Sequence, residues 1–160
     1  MSSPESDLPT IRRHALRLLS RRAHSHREIE RKLLRHYDQE PVEAVLEDLE
    51  DRNLLDDDAL AEERALMLRR RRLWGAQRIG SDLRRLGISA KIVARAIDRS
   101  ESAFPSRETL EKVIEHWTRK NGVPASVAQI KRLFDHCRRR GFPAQLVRDL
   151  IDPLWSRLSR

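Results

Sequence analysis

The chain has 160 residues, 36% charged, 39% hydrophobic and only 4% aromatic, with a formal net charge of +8. Such values speak against a deep enzyme core and favour short amphipathic helices with a charged exterior and an anionic partner; the single Cys137 excludes an intramolecular disulfide and suits a reducing compartment. No apolar run approaches the roughly 20 residues that span a bilayer, and Met1–Thr10 has no apolar stretch of the kind a secretion signal needs, so a cytoplasmic protein without membrane attachment is expected.

Residues 1–9 read as a disordered arm. A first helix is expected from about Thr10 to Ala23, with Ile11, Ala15, Leu18 and Leu19 along one face. Ser25 and Glu28 have capping-box spacing, and the helix they open carries Ile29, Leu33 and Leu34 to about His36. Pro41 suits the first turn of a third helix ending near Arg52. Asp56, Asp57 and Asp58 then open a long helix with Ala61, Ala65 and Leu68 in register, which ends in Arg69–Arg72 and is broken by Gly75. The next helix ends at Gly87, where a Schellman turn would set Ile88 on Leu83, and Ser89 caps its successor. Ser100 to Pro105 reads as a linker. The last triplet runs from Ser106 to near Gly122, from Ser126 to Arg140, and from Pro143 to about Trp155, with Gly141 repeating the turn of Gly87 and setting Phe142 on Cys137.

The apolar residues after the two glycine turns fall at identical offsets: Ile92, Val93, Ala96 and Ile97 after Gly87, and Leu146, Val147, Leu150 and Ile151 after Gly141. A looser copy places Ile29 and Leu33 before Tyr37, then Val42, Val45, Leu46 and Leu49. Repetition at roughly 50 residues indicates helical units that stack to cover one another's apolar faces. The expected fold is all-α, three tandem three-helix repeats in an elongated, curved array, with repeats at 10–55, 56–100 and 106–160 and a linker at 101–105.

Charge is segregated along the chain. Asp38–Asp58 holds ten carboxylates and one arginine, whereas Arg69–Arg85 holds seven arginines and one carboxylate. A charge run is often only a solvated face. Four consecutive arginines cover a full helical turn, however, and guanidinium groups offer planar bidentate donors to phosphate. Arg69, Arg70, Arg71, Arg72, Arg78, Arg84 and Arg85 are therefore one candidate contact patch, and Arg138, Arg139 and Arg140 a second. Trp74 follows the run and is a candidate for stacking on an exposed base, although packing against the next helix is the favoured account of it; Trp117 and Trp155 fall in apolar registers and are expected in the core. The aspartate triplet is explained by capping rather than by metal binding, the six histidines lack HExxH spacing, and Cys137 sits in an apolar register. No glycine-rich phosphate loop is present. No catalytic site, metal or cofactor is expected.

Four segments, in order, resemble the RecX family. Arg22–Leu33 resembles its RxxSxxELxxKL stretch; Asn53-Leu54-Leu55-Asp56-Asp57 with Ala61 and Arg64 resembles GLIDDxxYAxxxVR; Gly75, Ile79, Leu83, Gly87 and Ile88 match GxxxIxxxLxxKGI; and Arg139-Arg140-Gly141-Phe142 looks like RRGF. Asn53 replaces the usual glycine, Leu60 a common tyrosine and Arg85-Leu86 a common lysine pair. The resemblance implies tandem three-helix units and a non-enzymatic, monomeric regulator in DNA repair, homologous recombination and the SOS response. It would bind in the helical groove of the RecA filament, reach single-stranded DNA through that filament, and lower ATP hydrolysis, extension and strand exchange. The alternative is a stand-alone helix-turn-helix-like DNA-binding regulator, for which Gln77 and Gln129 are the few base-reading candidates. A peripheral membrane protein ranks last, because the basic helices carry few apolar aromatics.

Overall fold

The computed structural model describes residues 7–158, so most of the expected arm at 1–9 lies outside the described residues. Among the described residues there are nine helices and no strand, which makes the chain all-α: α1 Leu8–Leu19, α2 His26–Leu33, α3 Gln39–Asp51, α4 Asp57–Arg72, α5 Ala76–Arg85, α6 Ala90–Ala103, α7 Ser106–Asn121, α8 Val127–Arg139 and α9 Ala144–Leu158. Helix α1 starts two residues earlier than the apolar register suggested, because Pro9 falls in its first turn, where a missing N–H costs nothing. Helix α6 continues to Ala103, so most of the expected linker is helical.

Backbone proximity gathers the chain into two compact units, one of residues through Ala61 with Leu83–Val93, the other of Glu62–Asp82 with the residues from Ala94 onward. Helices α4, α5 and α6, the expected middle triplet, divide between them.

In the first unit, Ile11 and Ala15 of α1, Ile29 and Leu33 of α2, and Val42, Val45, Leu46 and Leu49 of α3 form a buried core. The capping box forms as its spacing dictated: Glu28 N donates to Ser25 Oγ at 3.1 Å and Ser25 N to Glu28 Oε2 at 3.0 Å. The aspartates close helix ends. Asp56 Oδ1 accepts from Ala59 N at 2.9 Å, and Asp57 Oδ1 from His26 N at 2.9 Å. Asn53 adopts φ 55°, and the amides of Leu54 and Asn53 return to the carbonyls of Leu49 and Glu50 at 2.8 Å. This is a Schellman turn in which asparagine does the work of the family's glycine.

In the second unit, Leu110 and Val113 of α7, Ile130, Leu133 and Cys137 of α8, and Phe142, Val147 and Ile151 pack together, with Trp117 and Leu73 against them. Trp155 is 44% exposed and departs from the expected core position. Helix α4 ends at Leu73, which takes φ 52°, and not at Gly75. Gly75 serves a close approach: its N–H donates to Arg140 O at 2.7 Å, and a Cβ there would overlap the Gly141 backbone. Ion pairs of Arg64 with Asp82 at 2.5 Å and of Arg99 with Glu62 tie α4 to α5 and α6 within this unit.

Candidate nucleic-acid interface

Arg69 departs from the expected surface patch, because its side chain is completely buried. Nη2 lies 3.0 Å from Glu101 Oε2, Nη1 donates to Ser106 Oγ at 2.8 Å, and Nη2 reaches Ser100 Oγ at 3.5 Å. Glu101 also accepts from the Ser106 amide at 2.7 Å. Burial lowers the Arg69 pKa, and the Glu101 charge opposes that shift. The cause is register: Ala61, Ala65 and Arg69 recur every fourth residue on the buried face of α4. That spacing was available in the sequence as a signal.

The following arginines point outward. Arg70, Arg71 and Arg72 are exposed, and among the described residues no side-chain hydrogen bond or ion pair engages them. Trp74 is half-buried with the Arg78 guanidinium 4.0 Å from its ring centroid, so the indole is packed against α5 through a cation–π contact. Arg78 Nη1 in turn donates to Arg139 O at 3.2 Å, and Gln77 N to Gly141 O at 3.1 Å.

Those backbone bonds bring the second arginine run to the first. Arg140 Nη1 donates to Arg72 O at 2.5 Å, satisfying a carbonyl that the end of α4 leaves unpaired. Arg138 Nη1 donates to Phe142 O at 2.5 Å and reaches Gln77 Oε1 at 3.4 Å. Arg138 and Arg140 are thus half-buried and hold the turn, whereas Arg139 is exposed. Burial, and then the like charge of Arg78, lower the Arg140 pKa. The second unit accordingly exposes Arg70, Arg71 and Arg72 at the end of α4 and, near them, Arg78 on the Trp74 ring with the exposed Arg139.

Arg84 and Arg85 belong to the first unit, so the expected seven-arginine patch divides between the two units. There they line a cleft of about 330 Å³ with Arg27 and Arg31 of α2. The sequence reading missed Arg27 and Arg31; their four-residue spacing on one helix face was the signal available.

The remaining reactive groups serve the fold. Burial pushes the Cys137 thiol up to about 12, far from a nucleophile's range. His24 bridges Arg22 O and Lys32 Nζ, each at 2.9 Å. Among the described residues no group of three or more His, Cys, Asp or Glu side chains is placed to hold a metal ion, and no helix is long and apolar enough to cross a membrane.

Fold and surface together define a class: a protein that is all-helical among the described residues, with buried polar groups that serve the fold and arginine runs at its helix ends. The family model described as RecX, first three-helix domain, matches residues 12–49. The regulatory protein RecX of Halorhodospira halophila is 32% identical over 151 residues, covering 92% of this chain and 90% of the relative. Its counterpart in Corynebacterium efficiens is 32% identical, covering 88% of this chain and 69% of the relative, and that of Chlorobaculum tepidum is 31% identical, with coverages of 86% and 84%. Among solved structures, a regulatory protein RecX superposes with a TM-score of 0.77 at 21% identity over 91% of this chain and 71% of that one. RecX from Lactobacillus salivarius also gives 0.77, at 19% identity over 92% and 96% of the respective chains. The chain belongs to the RecX family of regulatory proteins.

Proposed function

We propose that this protein regulates the RecA recombinase. It binds in the groove of the RecA filament on single-stranded DNA, obstructs filament extension, and lowers ATP hydrolysis and strand exchange. It acts as a cytoplasmic monomer with no cofactor and no catalytic step of its own, its helices arranged as three tandem three-helix repeats. The observation that carries the reading is the exposure of Arg70, Arg71 and Arg72 at the end of α4, beside the Arg78–Trp74 contact and the exposed Arg139, in a chain of this family. Arg70, Arg71 and Arg72, which no side-chain bond engages among the described residues, have no desolvated bond to give up when they meet a carboxylate-rich protein surface or a phosphate chain.

The test is ATP hydrolysis by the cognate RecA on single-stranded DNA during titration with this protein. Inhibition well below one molecule per RecA protomer is expected. Arg70→Glu/Arg72→Glu should abolish it while leaving helicity and melting temperature nearly unchanged, since neither side chain is engaged in the fold. No inhibition at stoichiometric excess, together with tight binding to DNA alone, would overturn the proposal in favour of a plain DNA-binding module.

A further inference from the structure

Helices α8 and α9 of the second unit enclose an apolar groove that shares no residue with the arginine surface described above. Helix α8 contributes Val127, Ile130, Lys131 and Phe134, and α9 contributes Arg148, Ile151, Asp152 and Trp155. Both sets are spaced i, i+3, i+4, i+7, so each helix lines the groove with one face over a length of about 10 Å. Ile130 and Ile151 are buried, whereas Val127 is 60% and Trp155 44% exposed. A concavity walled by aliphatic and aromatic side chains, with a few charged groups among them, is the make-up of a small-ligand site. Its volume of about 370 Å³ falls within the range for such sites. A groove only two helical turns long suits a molecule of that size better than a docked protein helix.

The charged side chains give the groove a polarity. Among the described residues no hydrogen bond or ion pair engages Lys131, Arg148 or Asp152. The Arg148 guanidinium carbon lies 5.9 Å from the Phe134 ring centroid, so this side chain reaches from α9 across the groove to α8. The Gly141 turn makes α8 and α9 antiparallel neighbours, which sets Phe134 and Arg148 nearer the turn and Val127 and Trp155 at the far end. Lys131 stands one turn out from Phe134 on the opposite wall to Arg148. Asp152, one turn out from Arg148, is the single opposing charge. Two cations against one carboxylate favour an anion at the inner end, with apolar surface extending away from it.

We propose that this groove binds a small amphipathic anion, an apolar chain or ring that carries one acid group. The acid lies against Arg148 and Lys131, and the apolar body covers Ile151, Val127 and Trp155. The inference goes beyond the recombinase reading and does not rest on it; its test contains no recombinase, so the two fail separately.

The full chain is titrated calorimetrically at low salt with decanoate, below the concentration at which it forms micelles. Acetate and decyltrimethylammonium serve as counterparts that lack the chain or the acid, and each should bind at least about tenfold more weakly. Lys131→Gln/Arg148→Gln should weaken decanoate binding by about tenfold or more. Arg107→Gln/Arg119→Gln removes the same charge elsewhere and should weaken it by less than about threefold. Asp152→Asn removes the opposing charge and should tighten binding by about twofold or more, an effect that a merely structural role would not give. Val127→Asp sets a carboxylate at the exposed first turn of α8, where the helix favours one, and should abolish binding with every cation in place. That variant covers the case in which the double variant fails to fold. Equal weakening by the groove and control pairs, equal binding of the decyl cation, or no decanoate binding to the wild-type chain would each overturn the proposal. A dimer in sedimentation equilibrium that Val127→Asp dissociates would assign the groove to a second copy of the chain, and would overturn it too.

Discussion

Arg69 is enclosed by Glu101, Ser100 and Ser106, whereas its neighbour Arg70 is exposed and has no side-chain partner among the described residues. Only the arginine of this pair is buried, Glu101 being 44% exposed, so the loss comes from the cavity that truncation leaves: Arg69→Ala should lower the unfolding free energy in urea by about 3 kcal/mol. Arg70→Ala should change it by less than about 0.5 kcal/mol. A second contrast concerns Cys137, buried in the α7–α9 core with its pKa raised to about 12. In native protein at mildly alkaline pH it should react with a thiol reagent only at the rate of global unfolding, and immediately once denaturant is added. Brisk labelling of the native chain would contradict the burial described. Of these two environments the sequence disclosed one. Cys137 is legible from its apolar register; Arg69 shares such a register, but nothing local reveals that Glu101, 32 positions further along, comes back to meet it.

At the scale of elements, helix ends carry the specificity. Schellman turns close α3 at Asn53, α5 at Gly87 and α8 at Gly141, each with its last amide returned to the carbonyl five residues earlier. Gly141, at φ 92°, also lies against the Arg78 backbone, whose Cα would be 3.0 Å from an added Cβ. The left-handed backbone alone costs an alanine about 1–3 kcal/mol. Gly141→Ala should exceed that in a thermal melt, because the overlap adds to it, and should loosen the contact that brings Arg138–Arg140 to Arg72. Ser25→Ala should cost about 1–2 kcal/mol, since Ser25 caps α2 and donates to Leu86 O as well. Caps and turns were readable because they depend on residues within six positions. The end of α4 was not. Leu73 takes a left-handed conformation that its type disfavours, and the Arg140 bond to Arg72 O and the packing of Leu73 on the α7–α9 core supply the compensation.

For the molecule as a whole, several histidines couple stability to pH. Burial lowers the pKa of His14, His24 and His136, with nearby arginines adding to the shift. The unfolded chain therefore takes up protons first, at about pH 6.5, so the stabilisation is complete above that value and declines as pH falls from it toward the lowered folded values. Glu28 adds a later step: its folded pKa is depressed, so its contribution is lost as pH falls below the ordinary glutamate range and through its lowered value. Melting temperature should be level from about pH 8 to 7 and drop below about pH 6.5; a level profile down to about pH 5.5 would refute the histidine assignment.

What the sequence by itself determined was the all-α class, the ends of most helices, the apolar residues that fill the cores and the family. All of these depend on spacing within a few turns, and the physical chemistry of a helix is local in that sense. What only the tertiary structure decided was how the charge is distributed. It buried Arg69, carried Arg139 to Arg78 and Trp74, and set Arg84 and Arg85 beside Arg27 and Arg31. A guanidinium is alike in sequence whether it holds a fold together or faces a partner. Which role it takes depends on carboxylates and carbonyls more than thirty positions away, and only chain folding brings those within a hydrogen bond's reach.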